Sequence, residues 1–199
     1  QKVTQRIEKD FLFDTAIHFE DGFYINQYQI TLSMLVNTDV IKEHNIALER
    51  IHYFISHRIQ SGLFIEESET KAIQKYKAAG INICTLPDEP HDQIISMVLL
   101  TKFNAITENK LIVTDLILGS TFSEGVKFHT VSEIAEDIID QHSSKWWNCA
   151  TICMEDSKLE NSDEDHKIIE LFSDDAWEKL DLGFAKKGKK ANQKLDHNT

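Results

Sequence analysis

Apolar and polar residues alternate most clearly between Tyr28 and Val36. Tyr28, Ile30, Leu32, Met34 and Val36 share one face of an extended segment, while Gln27, Gln29, Thr31 and Ser33 share the other; Leu35 alone is out of step. A period of two over that length predicts a strand with one buried and one wetter face. Residues 11–19 read as the strand before it. Glu20-Asp21-Gly22 lies between the two and predicts a hairpin, because glycine accepts positive φ.

The period then lengthens. Thr38 or Asp39 can cap a helix running to about Gln60, with Leu48, Ile51, Phe54, Ile55 and Ile59 as its apolar stripe. Residues 63–65 suggest a short edge strand. Residues 67–79 read as a polar surface helix stopped by Gly80, and residues 81–86 as a strand. The chain's two prolines, Pro87 and Pro90, frame a rigid turn. The helix expected over residues 92–108 is apolar nearly all round, which predicts the most buried helix of the fold, with Asn109 as its cap. Residues 111–118 form an aliphatic run interrupted by Thr114 and Asp115, the mark of a central strand. Residues 126–129 read as a further strand. Thr130 and Glu133 make a capping box for a helix reaching Gln141.

This order begins with a hairpin and does not alternate strictly. It predicts an α+β fold: a mixed sheet starting with an antiparallel hairpin, its helices packed mainly on one face. Residues 1–150 read as a single domain. Residues 151–184 form an acidic arm, with eleven acids against three lysines between residues 155 and 181. Leu171, Phe172, Trp177, Leu180, Leu182 and Phe184 are apolar islands in or beside that stretch, able to dock back on the body. Residues 185–199 read as a lysine-rich, disordered tail.

Charge narrows the partners. The formal net charge is −12 over 199 residues, which disfavours non-specific binding to nucleic acid. The odd set Cys84, Cys149 and Cys153 is no disulfide framework and fits a reducing, cytoplasmic setting. No apolar run approaches the ~18–20 residues that span a bilayer, and residues 1–10 are too polar for a secretory signal. No membrane partner is expected.

Few residues suggest chemistry. His142, Cys149, Cys153 and His166 are the one grouping of soft metal ligands; zinc takes four such groups, but the outer gaps match no known spacing, and the thiols also suit packing beside Trp146 and Trp147. Asp88, Glu89, His91 and Asp92 cluster at the proline turn. They could hold a divalent cation, or simply open a helix whose dipole favours acids. Asp115 places a charge inside an aliphatic strand, a functional or a structural acid. His44, His52 and His57, with Arg50 and Arg58, read as a solvated face opposite the helix stripe. Residues 183–190 copy the spacing of a phosphate-binding loop, but Lys190 stands where a hydroxyl must hold magnesium. No nucleophile elbow occurs, and no cofactor is expected.

Asn45-Ile46-Ala47-Leu48-Glu49-Arg50-Ile51-His52-Tyr53-Phe54 and Gly80-Ile81-Asn82-Ile83-Cys84-Thr85-Leu86-Pro87-Asp88-Glu89-Pro90 resemble segments of small uncharacterised proteins of T4-like marine bacteriophages. The resemblance implies a phage origin and action in a bacterial cytoplasm. It brings no catalytic residues with it. The expected function is a non-enzymatic binding or regulatory protein acting on a protein partner. One alternative is a metal-dependent hydrolase of nucleotides or nucleic acid using Asp88, Asp115 and a histidine, His91 or His129. The other is a homo-oligomeric structural protein.

Overall fold

The computed structural model describes residues 5–20, 22–132, 146–152, 154 and 176–185. Its first two strands, β1 (Arg6–Phe19) and β2 (Gly22–Val36), form one long antiparallel hairpin with Phe19 opposite Gly22. Glu20, not the glycine, takes the left-handed conformation in the turn (φ 46°). A Cβ at Gly22 would meet only the far end of the half-exposed Tyr24 side chain.

Next come α1 (Ile41–Phe54), a π-helical turn (Ile55–Ile59), β3 (Leu63–Glu66), α2 (Thr70–Ala78), β4 (Ile83–Leu86), α3 (Asp92–Thr107), β5 (Leu111–Ser120) and β6 (Lys127–Val131). The six strands make one mixed sheet in the order β4-β3-β1-β2-β5-β6. β3 runs parallel to β1 and β4, while β2, β5 and β6 pair antiparallel. The short apolar piece expected at an edge, now β3, is therefore an interior strand, and Leu63, Phe64 and Ile65 are fully buried. The helix over residues 130–141 falls outside the described residues beyond Ser132, as do Leu171, Phe172 and the tail from residue 186.

Alternation in β2 holds. Asn26, Tyr28, Ile30, Leu32 and Met34 are buried on one face, where α1 and α3 pack, while α2 lies against the opposite face with Ile73 and Tyr76 over Leu63 and Ile65. In β5 the register shifts between Ser33 and Met34 of its partner, leaving Thr114 as an extra residue. Such a bulge reverses side-chain parity. Leu111 and Val113 before it and Leu116 and Leu118 after it can then all face the core. Asp115 consequently projects from the outer face, where Arg6 pairs with it at 3.0 Å. The charge inside the aliphatic run is thereby accommodated.

α1 begins at Ile41 without a side-chain cap; Thr38 instead accepts the Val40 N–H at 3.1 Å. Its polar face is not wholly solvated. Arg50 lies on the same side as Ala47, Ile51 and Phe54 and is buried with them. Its guanidinium donates to the Leu182 carbonyl (2.8 Å), the Ile106 carbonyl (2.9 Å) and Glu108 Oε1 (2.9 Å). Trp177 and Phe184 flank it, with ring centroids 5.0 and 3.9 Å away. Burial lowers the Arg50 pKa from its ordinary value, against an opposing pull from Glu108. Arg50 thus ties residues 176–185, including the single helical turn α4 (Ala176–Lys179), to α1 and the end of α3.

Lys102 plays the matching role on α3. Its ammonium is completely buried and donates to the carbonyls of Trp146 (3.1 Å), Cys149 (2.8 Å) and Thr151 (2.7 Å). The three N–H donors of a lysine meet three acceptors of one loop. That loop starts in a 3-10 turn (Trp146–Asn148) and covers β4, with Trp146 Nε1 donating to the Thr85 carbonyl at 2.8 Å. No helix among the described residues is long and apolar enough to cross a membrane.

Gly62 sits where the chain leaves the π-helical turn for β3. A Cβ there would stand 3.0 Å from the Ile59 carbonyl oxygen and 3.2 Å from those of Arg58 and Asn82. Backbone cannot rotate aside as a side chain can. Gly62→Ala is therefore expected to destabilise the fold by about 1–3 kcal/mol, read from chemical denaturation.

Candidate functional site

A cleft of about 310 Å³ opens where the hairpin, the proline turn and the β5–β6 turn meet. Each part follows from local sequence. The inward face of β1 supplies Ile17 and Phe19, and the same face of β2 supplies Asn26. Pro90 ends the rigid turn and delivers His91 and Asp92 to the start of α3. Phe122 and Ser123 come from the β5–β6 turn, and Phe128 from β6. Most of the lining is therefore aromatic or aliphatic. A concave apolar surface with a few convergent polar groups is the usual form of a binding site.

The turn is fixed from both ends. Asn26 Oδ1 accepts the Phe122 N–H at 3.2 Å, and the Gln27 carbonyl accepts the Thr121 N–H at 3.0 Å. Ser123 Oγ donates to the Ser120 carbonyl at 2.9 Å. Phe122 nevertheless stays 52% exposed and meets the Tyr24 ring edge-on at 5.6 Å; Tyr24 is itself 42% exposed. Phe122 thus stands at the cleft half in solvent on a braced backbone, with the Tyr24 ring against it.

The floor is polar and incompletely satisfied. Asn26 is 1% exposed, and with its oxygen committed to Phe122 its Nδ2 has no hydrogen-bond partner. On the same face two residues along, the buried Tyr28 hydroxyl also has none. Its ring stacks on Phe13 at 5.3 Å and meets Phe64 edge-on at 5.9 Å. Burial pushes the Tyr28 phenol well above its ordinary pKa, and the negative charge of Asp92 adds to the rise. The phenol is therefore a fixed neutral group. Asp92 is 9% exposed, and its Oδ2 accepts the Ser120 hydroxyl at 2.7 Å.

The expected site residues fall in different places. His91 lines the cleft; it is exposed, lies 5.4 Å from the Phe19 ring and pairs with Glu89 at 3.0 Å. Asp88 is exposed in the turn, where its Oδ1 accepts the Glu89 N–H at 2.8 Å. Asp115 and His129 lie away from the cleft, on β5 and β6, Asp115 opposite Val131 and His129 opposite Ile117. The structure does not bring these four together. Of the soft-ligand set only exposed Cys149 is described; His142, Cys153 and His166 lie outside the described residues. Among the described residues, no group of three or more His, Cys, Asp or Glu side chains is placed to hold a metal ion.

Sequence reasoning missed Asn26, Phe122 and Ser123. Asn26 had a signal: the even-numbered face of β2 extends back to it from Tyr28. Phe122 and Ser123 had none, because only the pairing of β5 with β2 brings that turn beside Asn26.

No protein-family model matches the chain, and no curated protein matches its sequence. Solved structures do. An uncharacterised protein from Wolinella succinogenes, WS1659, aligns at 10% identity with a TM-score of 0.45, over 65% of this chain and 99% of its own. The 6-pyruvoyl tetrahydropterin synthase of Plasmodium vivax aligns at 8% identity with a TM-score of 0.40, over 65% of this chain and 98% of its own.

Proposed function

We propose that this chain is a non-enzymatic binding protein that acts on a protein partner, and that the cleft seats one side chain of that partner. One observation carries the reading: a braced apolar concavity lined by the half-exposed ring of Phe122, against which the half-exposed Tyr24 ring packs. Aromatic anchors around a desolvated pocket are the usual centre of a protein interface. Size supports the same reading. At about 310 Å³ the cleft lies at the bottom of the range for small-molecule sites, ~300–1,000 Å³, and suits one inserted side chain. The separation of Asp88 and His91 from Asp115 and His129 gives the hydrolase alternative no shared centre to work from. We further propose, from the resemblance of residues 45–54 and 80–90 to phage proteins, that the partner is met in a bacterial cytoplasm.

Site-directed cross-linking tests this. A photoreactive phenylalanine analogue at position 122 should give one dominant protein adduct in cells. The same analogue at Ile41, which is 75% exposed and remote from the cleft, should give none. Tyr24→Ala should lower the adduct yield severalfold with little loss of stability, because that ring is half in solvent. An adduct between two copies of this chain would identify the partner as a second copy. Equal adducts from positions 122 and 41, or none from either, would contradict the reading.

A further inference from the structure

We infer that the side chain received by the cleft is cationic, an arginine or a lysine of a basic protein partner; the inference rests on the cleft being the contact site. The charge at its floor points there. Asp92 is nine-tenths buried, and while its Oδ2 is bound to Ser120, its Oδ1 has no hydrogen-bond partner among the described residues. None of the described residues lining the cleft is a lysine or arginine. His91 stands at the mouth, but it already faces a carboxylate, Glu89, at 3.0 Å. A carboxylate at the floor of an apolar cleft with no lysine or arginine in its described lining is complemented by a guanidinium or ammonium from a partner.

The walls fit such a guest. Phe19, Phe122 and Phe128 offer ring surface to a cation, and the rest of the apolar lining suits the methylene stem of a long basic side chain. The helix dipole opposes a cation at this end of α3, yet it amounts to roughly half a charge, against the full charge of Asp92, the one acid in the first turn. Asn26 Nδ2 and the Tyr28 hydroxyl, the unpartnered groups on β2, have almost no accessible surface and do not compete for the mouth. Over longer range, a chain of net charge −12 attracts basic partners.

The test uses the full chain and short blocked peptides, acetyl-Ala-Xaa-Ala-amide, with Xaa arginine, its neutral isostere citrulline, or norleucine. Propylguanidine alone is the fourth probe. Amide-resonance titration should show the arginine peptide binding roughly 10–100-fold more tightly than the citrulline peptide, the ratio expected for one charge-assisted hydrogen bond. Resonances of Asn26, Asp92 and Phe122 should move. Asp92→Asn should erase the preference, with an unchanged near-ultraviolet dichroism spectrum showing that the fold survives. Equal binding of arginine, citrulline and norleucine peptides would overturn the cation while leaving the cleft in place as a contact site. Propylguanidine binding as tightly as the arginine peptide would overturn the protein source in favour of a small organic cation. No binding by any probe, with cleft resonances unmoved, would overturn both this inference and the reading beneath it.

Discussion

Lys102→Met is expected to lower the midpoint of thermal unfolding by about 6–12 °C and to shift tryptophan emission to the red. Methionine preserves much of the volume but donates nothing. The carbonyls of Trp146, Cys149 and Thr151 would lose their common donor. A buried acceptor left unpaired costs ~1–3 kcal/mol. Two of the three bonds are only partly buried, so water can reach those carbonyls, and the low end applies, about 3 kcal/mol in all. For a chain of this size each kcal/mol moves the midpoint by roughly 2–4 °C. The opposing effect is relief from desolvating the ammonium. Replacing both partners of a buried polar contact can be neutral, but here the carbonyls remain and only the donor leaves. The spectral change follows because Trp146 and Trp147 are buried in the same loop. An unchanged midpoint would mean that the loop carbonyls find water at no cost and that Lys102 is not their clasp.

Arg50→Met should free residues 176–185 before the sheet unfolds. The guanidinium holds the Leu182 carbonyl from α1 and lies between the rings of Trp177 and Phe184. Its loss leaves the Leu182 and Ile106 carbonyls without that donor, while Glu108, with its side chain 47% exposed, can turn to solvent. The expected cost is about 2–4 kcal/mol, spent mainly on local release. Hydrogen exchange should quicken at Leu180, Asp181 and Leu182, whose N–H groups bond to Trp177 and Glu178 carbonyls, while exchange in β2 stays slow. Arg50→Lys should recover only part of the loss, since one ammonium cannot reproduce the planar fork between two rings. Uniform acceleration across the sheet would contradict a local clasp.

The sheet was legible where periodicity was strong. The even-numbered face of β2 and the nearly all-round apolar α3 could be read directly, because burial on one face, or on every face, leaves its mark on composition. What could not be read were the long-range choices. Pairing of β3 between β1 and β4 depends on partners elsewhere in the chain, so a short apolar run looked like an edge. The bulge at Thr114 left no local sign apart from the polar pair that it accommodates. Arg50 and Lys102 hid for a related reason. Each is a charge at a buried helical position, which propensity assigns to solvent; acceptors contributed by residues 44 or more positions away satisfy them. Both lay within apolar surroundings, Arg50 beside Ala47, Ile51 and Phe54, and Lys102 beside Leu99 and Phe103. A charge out of place on a greasy face was the available clue.

The candidate site divides in the same way. The proline turn and the acids opening α3 were visible as a cluster, and Pro90, His91 and Asp92 do line the cleft. Its other walls come from the inward face of the hairpin and from a turn that only the β2–β5 register places beside Asn26.

Fluorine spectra of the chain labelled with 4-fluorophenylalanine test most directly whether this cleft seats a side chain. The eleven phenylalanines give reporters both in the cleft and in the core. On addition of the arginine and norleucine peptides, the signals of Phe19, Phe122 and Phe128 should shift and saturate together for at least one peptide, while those of core residues Phe54 and Phe103 stay in place. Cleft signals that stay fixed with both peptides, or shifts confined to other phenylalanines, would contradict the account.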